Sequence, residues 1–219
     1  MSVTYAIGDI HGSLRMLQAL IARCRQDAGD RPTTFVFLGD YIDRGPDSAG
    51  VVRAIMNLQV ESPGRVIALK GNHEAMALDV ANSEVPADFW LTQGGAETLR
   101  SYGVANAREL PDDHVRWLHA LPLHHDDGRR FFVHAGIDPD RPLDKQRKRD
   151  LLWIREPFLS DPRDHGRLIV HGHTPQTSGP PDLRGNRLNL DTGAVFGGAL
   201  TAAIFTGTET KPGGFLQVE

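Results

Sequence analysis

Apolar residues along this chain fall into two rhythms. Short apolar runs of strand type occupy residues 3–7, 34–38 and 65–69, and each leads into a polar segment flanked by glycine. Behind the first run, Leu14, Leu17, Leu20, Ile21 and Cys24 recur with a period of about 3.6 residues, and Ser13 stands where a helix cap belongs. Behind the second, Val51, Val52, Ile55 and Met56 mark another helical face. Strands alternating with amphipathic helices predict βαβ units, whose ligands sit on loops beyond the carboxyl ends of the strands.

Residues 84–121 break that rhythm. Pro86, Trp90, Gly94-Gly95 and Pro111 separate short helical stretches at 96–102 and 113–121, which read as a helical insertion covering one side of whatever the loops build. Downstream, apolar runs at 130–133, 168–170 and 187–190 again end in polar segments, and 199–205 and 215–218 close the pattern as antiparallel strands. The expected fold class is α/β, with two mixed sheets packed face to face and helices outside. A single domain over 1–219 is expected, because the polar segments run from Asp9 to Asp191 with no Ser/Gly-rich linker between them.

Composition changes this picture little. With 40% hydrophobic and 24% charged residues and a net charge of −4, nothing points to nucleic acid or an anionic membrane as a partner. No apolar stretch approaches the roughly 18–20 residues of a membrane span, and Met1 to Tyr5 enter a strand without a leader pattern. The single cysteine, Cys24, sits among the helical apolar positions as a buried thiol rather than a nucleophile, so a reducing compartment, the cytoplasm, is expected. Oligomeric state is not encoded in any of these features.

The chemistry lies in six polar segments: Gly8-Asp9-Ile10-His11-Gly12, Gly39-Asp40-Tyr41-Ile42-Asp43-Arg44-Gly45, Gly71-Asn72-His73-Glu74, His134-Ala135-Gly136, His171-Gly172-His173-Thr174 and Asp191-Thr192-Gly193. Hard divalent cations take oxygen ligands, imidazole adds affinity for transition metals, and a carboxylate can bridge two ions about 3.5–4 Å apart. Six such segments in order point to a two-metal phosphoesterase.

The motifs resemble those of the calcineurin-like metallophosphoesterases, most closely the phosphoprotein phosphatase subgroup with its bacterial serine/threonine protein phosphatases. The resemblance implies that Asp9 and His11 bind a first metal, Asp40 bridges, and Asn72, His134 and His173 bind the second. Two divalent ions are then expected, manganese first, with iron, zinc, magnesium or nickel able to use the same donors. They would acidify a bound water to the bridging hydroxide that attacks phosphorus. By the same resemblance His73 is the general acid and Asp43 orients it. Arg44, and more loosely Arg155, would hold phosphoryl oxygens, with Asn72 beside the substrate.

Pro175 stands where many phosphodiesterases of the superfamily place a further histidine ligand, a departure shared with protein phosphatases. Asp191 is expected to orient site histidines and His171 to support the structure, while His114, His119, His124, His125 and His165 read as surface residues. Lys145-Gln146-Arg147-Lys148-Arg149 reads as a solvated basic loop.

The expected substrate is phosphoserine or phosphothreonine in proteins. The alternative is symmetrical hydrolysis of diadenosine tetraphosphate or of another nucleotide. Asp43 favours the monoesterase, since some dinucleotide hydrolases replace that acid. A non-catalytic scaffold is disfavoured because His73 and every ligand are retained.

Overall fold

In the computed structural model, which describes residues 1–176 and 179–219, the two rhythms become two five-stranded sheets. Strands Val3–Ile7 (β1), Thr33–Phe37 (β2) and Val66–Ala68 (β3) run parallel, linked by helices Leu14–Ala28 (α1) and Ser48–Glu61 (α2). The alternation of strand side chains sets the layers. Tyr5, Ile7, Phe35 and Phe37 pack with the apolar stripes of α1 and α2, while Ala6 and Val36 point the other way, into the space between the sheets.

Ser13 occupies the cap position of α1 but its side chain makes no capping hydrogen bond, contrary to expectation. At α2 the cap is Asp47, whose carboxylate accepts from the Gly50 N–H at 2.8 Å. Nor is the third motif a loop, since Asn72–Ala81 (α3) begins within it. The physical reason is Glu74, whose carboxylate reaches back to the Gly71 N–H at 2.8 Å and closes the first turn.

The insertion contains Asp88–Trp90 (α4), a wide turn at Leu91–Gly95, Ala96–Tyr102 (α5), a short 3-10 turn at Ala107–Glu109 and Asp112–Ala120 (α6). His114 on α6 is buried, not a surface residue, because the Tyr102 hydroxyl meets its Nδ1 at 2.8 Å and the rings pack edge to face. His125 and His165 are half-buried, whereas His119 and His124 are exposed as expected.

The second sheet contains His124–Asp126 (β4), Arg130–Val133 (β5), Leu168–His171 (β6), Asp182–Leu183 (β7) and Arg187–Asn189 (β8), with β5, β6 and β8 parallel. Helix Lys148–Trp153 (α7) lies between β5 and β6 in the chain. Phe132, Val170 and Leu188 fill the space between the sheets against Ala203 and Phe205. Phe131, Val133 and Ile169 turn outward to Leu151 and Phe158. Leu200–Thr206 (β9) and Gly214–Val218 (β10) return to the first sheet, where β9 pairs antiparallel with β1. Among the described residues no helix is long and apolar enough to cross a membrane.

Candidate active site

The strand ends of both sheets deliver their polar segments to one place. Among the described residues six non-glycine positions have φ in the left-handed region, and five are His11, Asp40, Asp43, Arg44 and His173. Side-chain residues adopt that conformation at a cost, so its concentration here marks a site held by its surroundings. Glu74 supplies much of the hold on the second motif. It is fully buried and accepts from the backbone N–H of Asp40 at 2.9 Å and of Tyr41 at 2.8 Å, besides that of Gly71. Gly71 must be glycine, because a Cβ there would strike the Asp40 carboxylate.

Two donor groups share Asp40: His11, Asp40 and His73 in one, and Asp40, His134 and His173 in the other, with ligand atoms in each within 4.8 Å of one another. The hydrogen bonds fix the tautomers. His11 Nδ1 lies 2.8 Å from the Ile42 carbonyl and His134 Nδ1 lies 2.9 Å from the Leu38 carbonyl, so both nitrogens carry protons and donate. Their Nε2 lone pairs then face the Asp40 carboxylate, each at 3.4 Å. Acceptors converging on acceptors repel unless a positive charge lies among them.

Asn72 Oδ1 adds to the convergence, 2.8 Å from His134 Nε2 and 2.9 Å from His173 Nδ1. Burial pushes the imidazoles down, His11 and His173 to about 3, and His134 in the same direction, so all three are neutral ligands at neutral pH. Burial alone would raise Asp40, but His134, His73, His11 and His173 around it outweigh that and hold it well below the usual carboxylate range. A carboxylate, an amide oxygen and neutral imidazoles together fit divalent cations.

Asp9 stands beside these groups rather than within them. Its oxygens accept from the His173 N–H at 3.1 and 3.3 Å. Burial, then Asp191 and Asp40, raise its carboxyl well above the ordinary range. Asp191 therefore faces Asp9, not a histidine as expected, and among the described residues it bonds the Gly193 N–H at 3.2 Å. His171 is buried, with Nδ1 3.1 Å from the Gly172 carbonyl and its ring against Phe158, in keeping with a structural role.

His73 differs from the other imidazoles. Its Nδ1 lies 2.7 Å from Asp43 Oδ2, and its Nε2 lies 3.8 Å from Asp40 Oδ2. Burial opposes its charge, yet Asp40 and Asp43 overcome that and raise its pKa. An imidazole whose charged form is favoured in this way is suited to giving up a proton.

Arg44 donates from Nη1 to His11 Nε2 at 2.7 Å, and its guanidinium stacks over the exposed Phe196 ring, 5.4 Å from the centroid. The wide turn of the insertion holds it, with Arg44 N–H to Gly94 carbonyl at 3.2 Å. Gly94 has φ 108° and no room for a side chain against the Arg44 backbone.

A cavity of about 760 Å³ opens over the cluster, with Asp40, Asn72, His73 and His173 at its floor and Arg44, Arg149, Trp153, Arg155 and Phe196 among its walls. Arg155 thus faces the site. Arg149 does too, so the basic run is not simply a solvated loop: Lys148 begins α7 and the helix turns Arg149 toward the cavity. Trp90, Thr98, Trp153 and Phe196 carry no functional signal in sequence, whereas Glu74 stands in its motif and Arg149 in the basic run without a role assigned to either.

The family model described as calcineurin-like phosphoesterase matches residues 3–205, and the chain belongs to that family. Over 216 residues it is 33% identical to serine/threonine-protein phosphatase 1 of Salmonella typhimurium, covering 91% of this chain and 90% of the relative. It is also 37% identical over 147 residues to the symmetrical bis(5'-nucleosyl)-tetraphosphatase of Dechloromonas aromatica, a match spanning 66% of this chain and 48% of that protein. Among solved structures, a provisionally assigned diadenosine tetraphosphatase superposes with a TM-score of 0.75 at 25% identity, covering 99% of this chain and 93% of the other. The protein is therefore a metallophosphoesterase with a phosphoester substrate.

Proposed function

We propose that this chain is one catalytic unit, a metal-dependent phosphomonoesterase that hydrolyses phosphoserine and phosphothreonine in proteins. The observation that carries the reading is the His73–Asp43 pair, 2.7 Å apart, beside an Asp40 shared by two donor groups. His11, Asp40, Asn72, His134 and His173 would hold two divalent cations, with Asp9 completing the first from its adjacent position. Manganese is the expected metal. Bound there, the cations would supply charge neutralisation and a water acidified to a nucleophile near neutral pH.

The chain's own residues do the rest. Arg44 and Arg155 bind the phosphoryl oxygens, the forked guanidinium suiting a tetrahedral anion. Asn72 lines the floor beside them. His73 gives its Nε2 proton to the leaving alkoxide, and Asp43 holds the ring by Nδ1 and stabilises the charged form. Cys24, buried with its pKa pushed up to about 12, is inert and suits a reducing cytoplasm.

The protein substrate is supported by the near full-length likeness to serine/threonine-protein phosphatase 1 and by the retained Asp43. A nucleotide substrate is the second reading. The likeness to the bis(5'-nucleosyl)-tetraphosphatase supports it, and so do the exposed Trp153 and Phe196 on the cavity wall, which offer stacking surfaces to bases. Parallel kinetics on phosphoserine peptides and diadenosine tetraphosphate with manganese test the choice. A higher kcat/KM for the peptides is expected, a higher value for the dinucleotide overturns the first reading, and inactivity with all five candidate metals removes both.

A further inference from the structure

The insertion does more than wall the cavity. Both carboxylate oxygens of Asp43 are taken, and two of the donors come from the insertion. Trp90 Nε1 donates to Oδ2 at 2.9 Å, on the same oxygen that receives His73 Nδ1. The Thr98 hydroxyl donates to Oδ1 at 2.6 Å.

Thr98 holds Asp43 at a second point as well, because its Oγ1 accepts the Asp43 backbone N–H at 2.9 Å. Ser48 Oγ lies 3.0 Å from the same Thr98 oxygen and takes part in the same bond set, 3.1 Å from that N–H. Asp43 is at φ 72°, a conformation its side chain disfavours, so the clamp has work to do. Asp43 and Thr98 are wholly buried and Trp90 is 1% exposed, which excludes water as a substitute donor. Gly95 sits flat against the indole, where a Cβ would strike the ring, and fixes the direction of Nε1.

We infer that Trp90 and Thr98 are positioning residues for the proton donor: they lock the Asp43 carboxylate in the plane that keeps His73 Nδ1 bound and its Nε2 aimed at the cavity. The insertion thereby completes the acid arm of the site. This inference rests on the proposed general-acid role of His73. Neither residue touches substrate or the donor groups that would hold metal. Their removal acts only on steps in which a leaving group needs a proton.

Trp90→Phe removes the N–H and keeps a ring, Thr98→Val removes the hydroxyl at constant shape, and Thr98→Ser restores it. The measurement is kcat and KM across aryl phosphates graded from para-nitrophenyl to phenyl phosphate, with Asp43→Asn as reference. Expected is a loss of about 10- to 100-fold in kcat on phenyl phosphate, the usual effect of removing an orienting partner, with a much smaller loss on para-nitrophenyl phosphate and unchanged KM. Thr98→Ser should recover most of it. In the Asp43→Asn background neither substitution should add a further leaving-group effect, since each acts through that carboxylate.

Equal losses across the series, or additive losses on top of Asp43→Asn, would overturn the inference. If Asp43→Asn itself shows no leaving-group dependence, the general-acid reading has failed instead, and the reference variant identifies that case. Should Trp90→Phe fold poorly by thermal melting, the Thr98→Val and Thr98→Ser pair decides alone. A low-field imidazole N–H proton resonance of His73 gives an independent readout, expected in wild type and Thr98→Ser and shifted in Thr98→Val.

Discussion

Arg44 is held by contacts on every side: its backbone against Gly94, its guanidinium between His11 and Phe196. Removing the side chain leaves the donor groups intact, so Arg44→Ala should raise KM and weaken inhibition by inorganic phosphate while metal content stays near wild type. A charged, forked contact contributes about 1.5–3 kcal/mol, so kcat/KM should fall by roughly 10- to 150-fold. Unchanged kinetics would reduce Arg44 to a partner of His11. At this scale the motifs bearing His11, Asp40, Asn72, His134 and His173 do converge in space, since Asp, Asn and His packed between glycines after strands have few structural uses. The sequence reading missed Trp90 and Thr98, which lie 47 and 55 residues from Asp43 along the chain, where no local pattern can pair them with it. Asp191 was placed against the wrong neighbour for the same reason: the side chain it faces is set by tertiary packing.

Among elements, the long periodic ones were legible and the short polar ones were not. Strands β1, β2, β5, β6, β8 and β9 follow their apolar runs to within a residue or two. Strands β4 and β7 carry mostly polar, half-exposed residues at the edges of their sheet, where backbone pairing rather than side-chain burial makes the strand. Helices α5 and α6 were foreseen, but not the pin between them, Tyr102 to His114. Burial, the largest influence, pushes the His114 pKa down, with Asp113 opposing and Arg53 assisting. The folded state then binds fewer protons there than the unfolded chain. Stability from this site is complete above the unfolded value of about 6.5 and is lost as pH falls below it. His114→Gln should therefore show a shallower decline in unfolding free energy than wild type through that window. Parallel slopes in denaturant titrations at several pH values would contradict this.

For the molecule as a whole, the donor groups take residues from both sheets: His11, Asp40 and Asn72 from loops and a helix start of the first, His134 and His173 from strand ends of the second. A ligand joining them stabilises the packing of one sheet on the other. Any cation that binds only the folded chain adds about 2.7 kcal/mol when present at one hundred times its dissociation constant. Chelation should lower the melting temperature and abolish activity together, and manganese should restore both. Loss of activity with no change in melting would place the metal outside the seam between the sheets.

The pairing of β1 with β9, Val3 opposite Thr206, also governs how quickly the protein can acquire its shape. Strand β1 is central in its sheet, so the loop bearing Asp9 and His11 has one neighbour from nearby sequence and another from the far end of the chain. Loop closure of that length comes late and is slow, which predicts refolding on the millisecond-to-second scale or longer rather than in microseconds. During synthesis the motif bearing Asp9 and His11 must wait for β9 before its conformation is fixed. Destabilising β9, as by Ala203→Gly, should therefore slow recovery of metal binding in stopped-flow refolding at least as much as it lowers equilibrium stability.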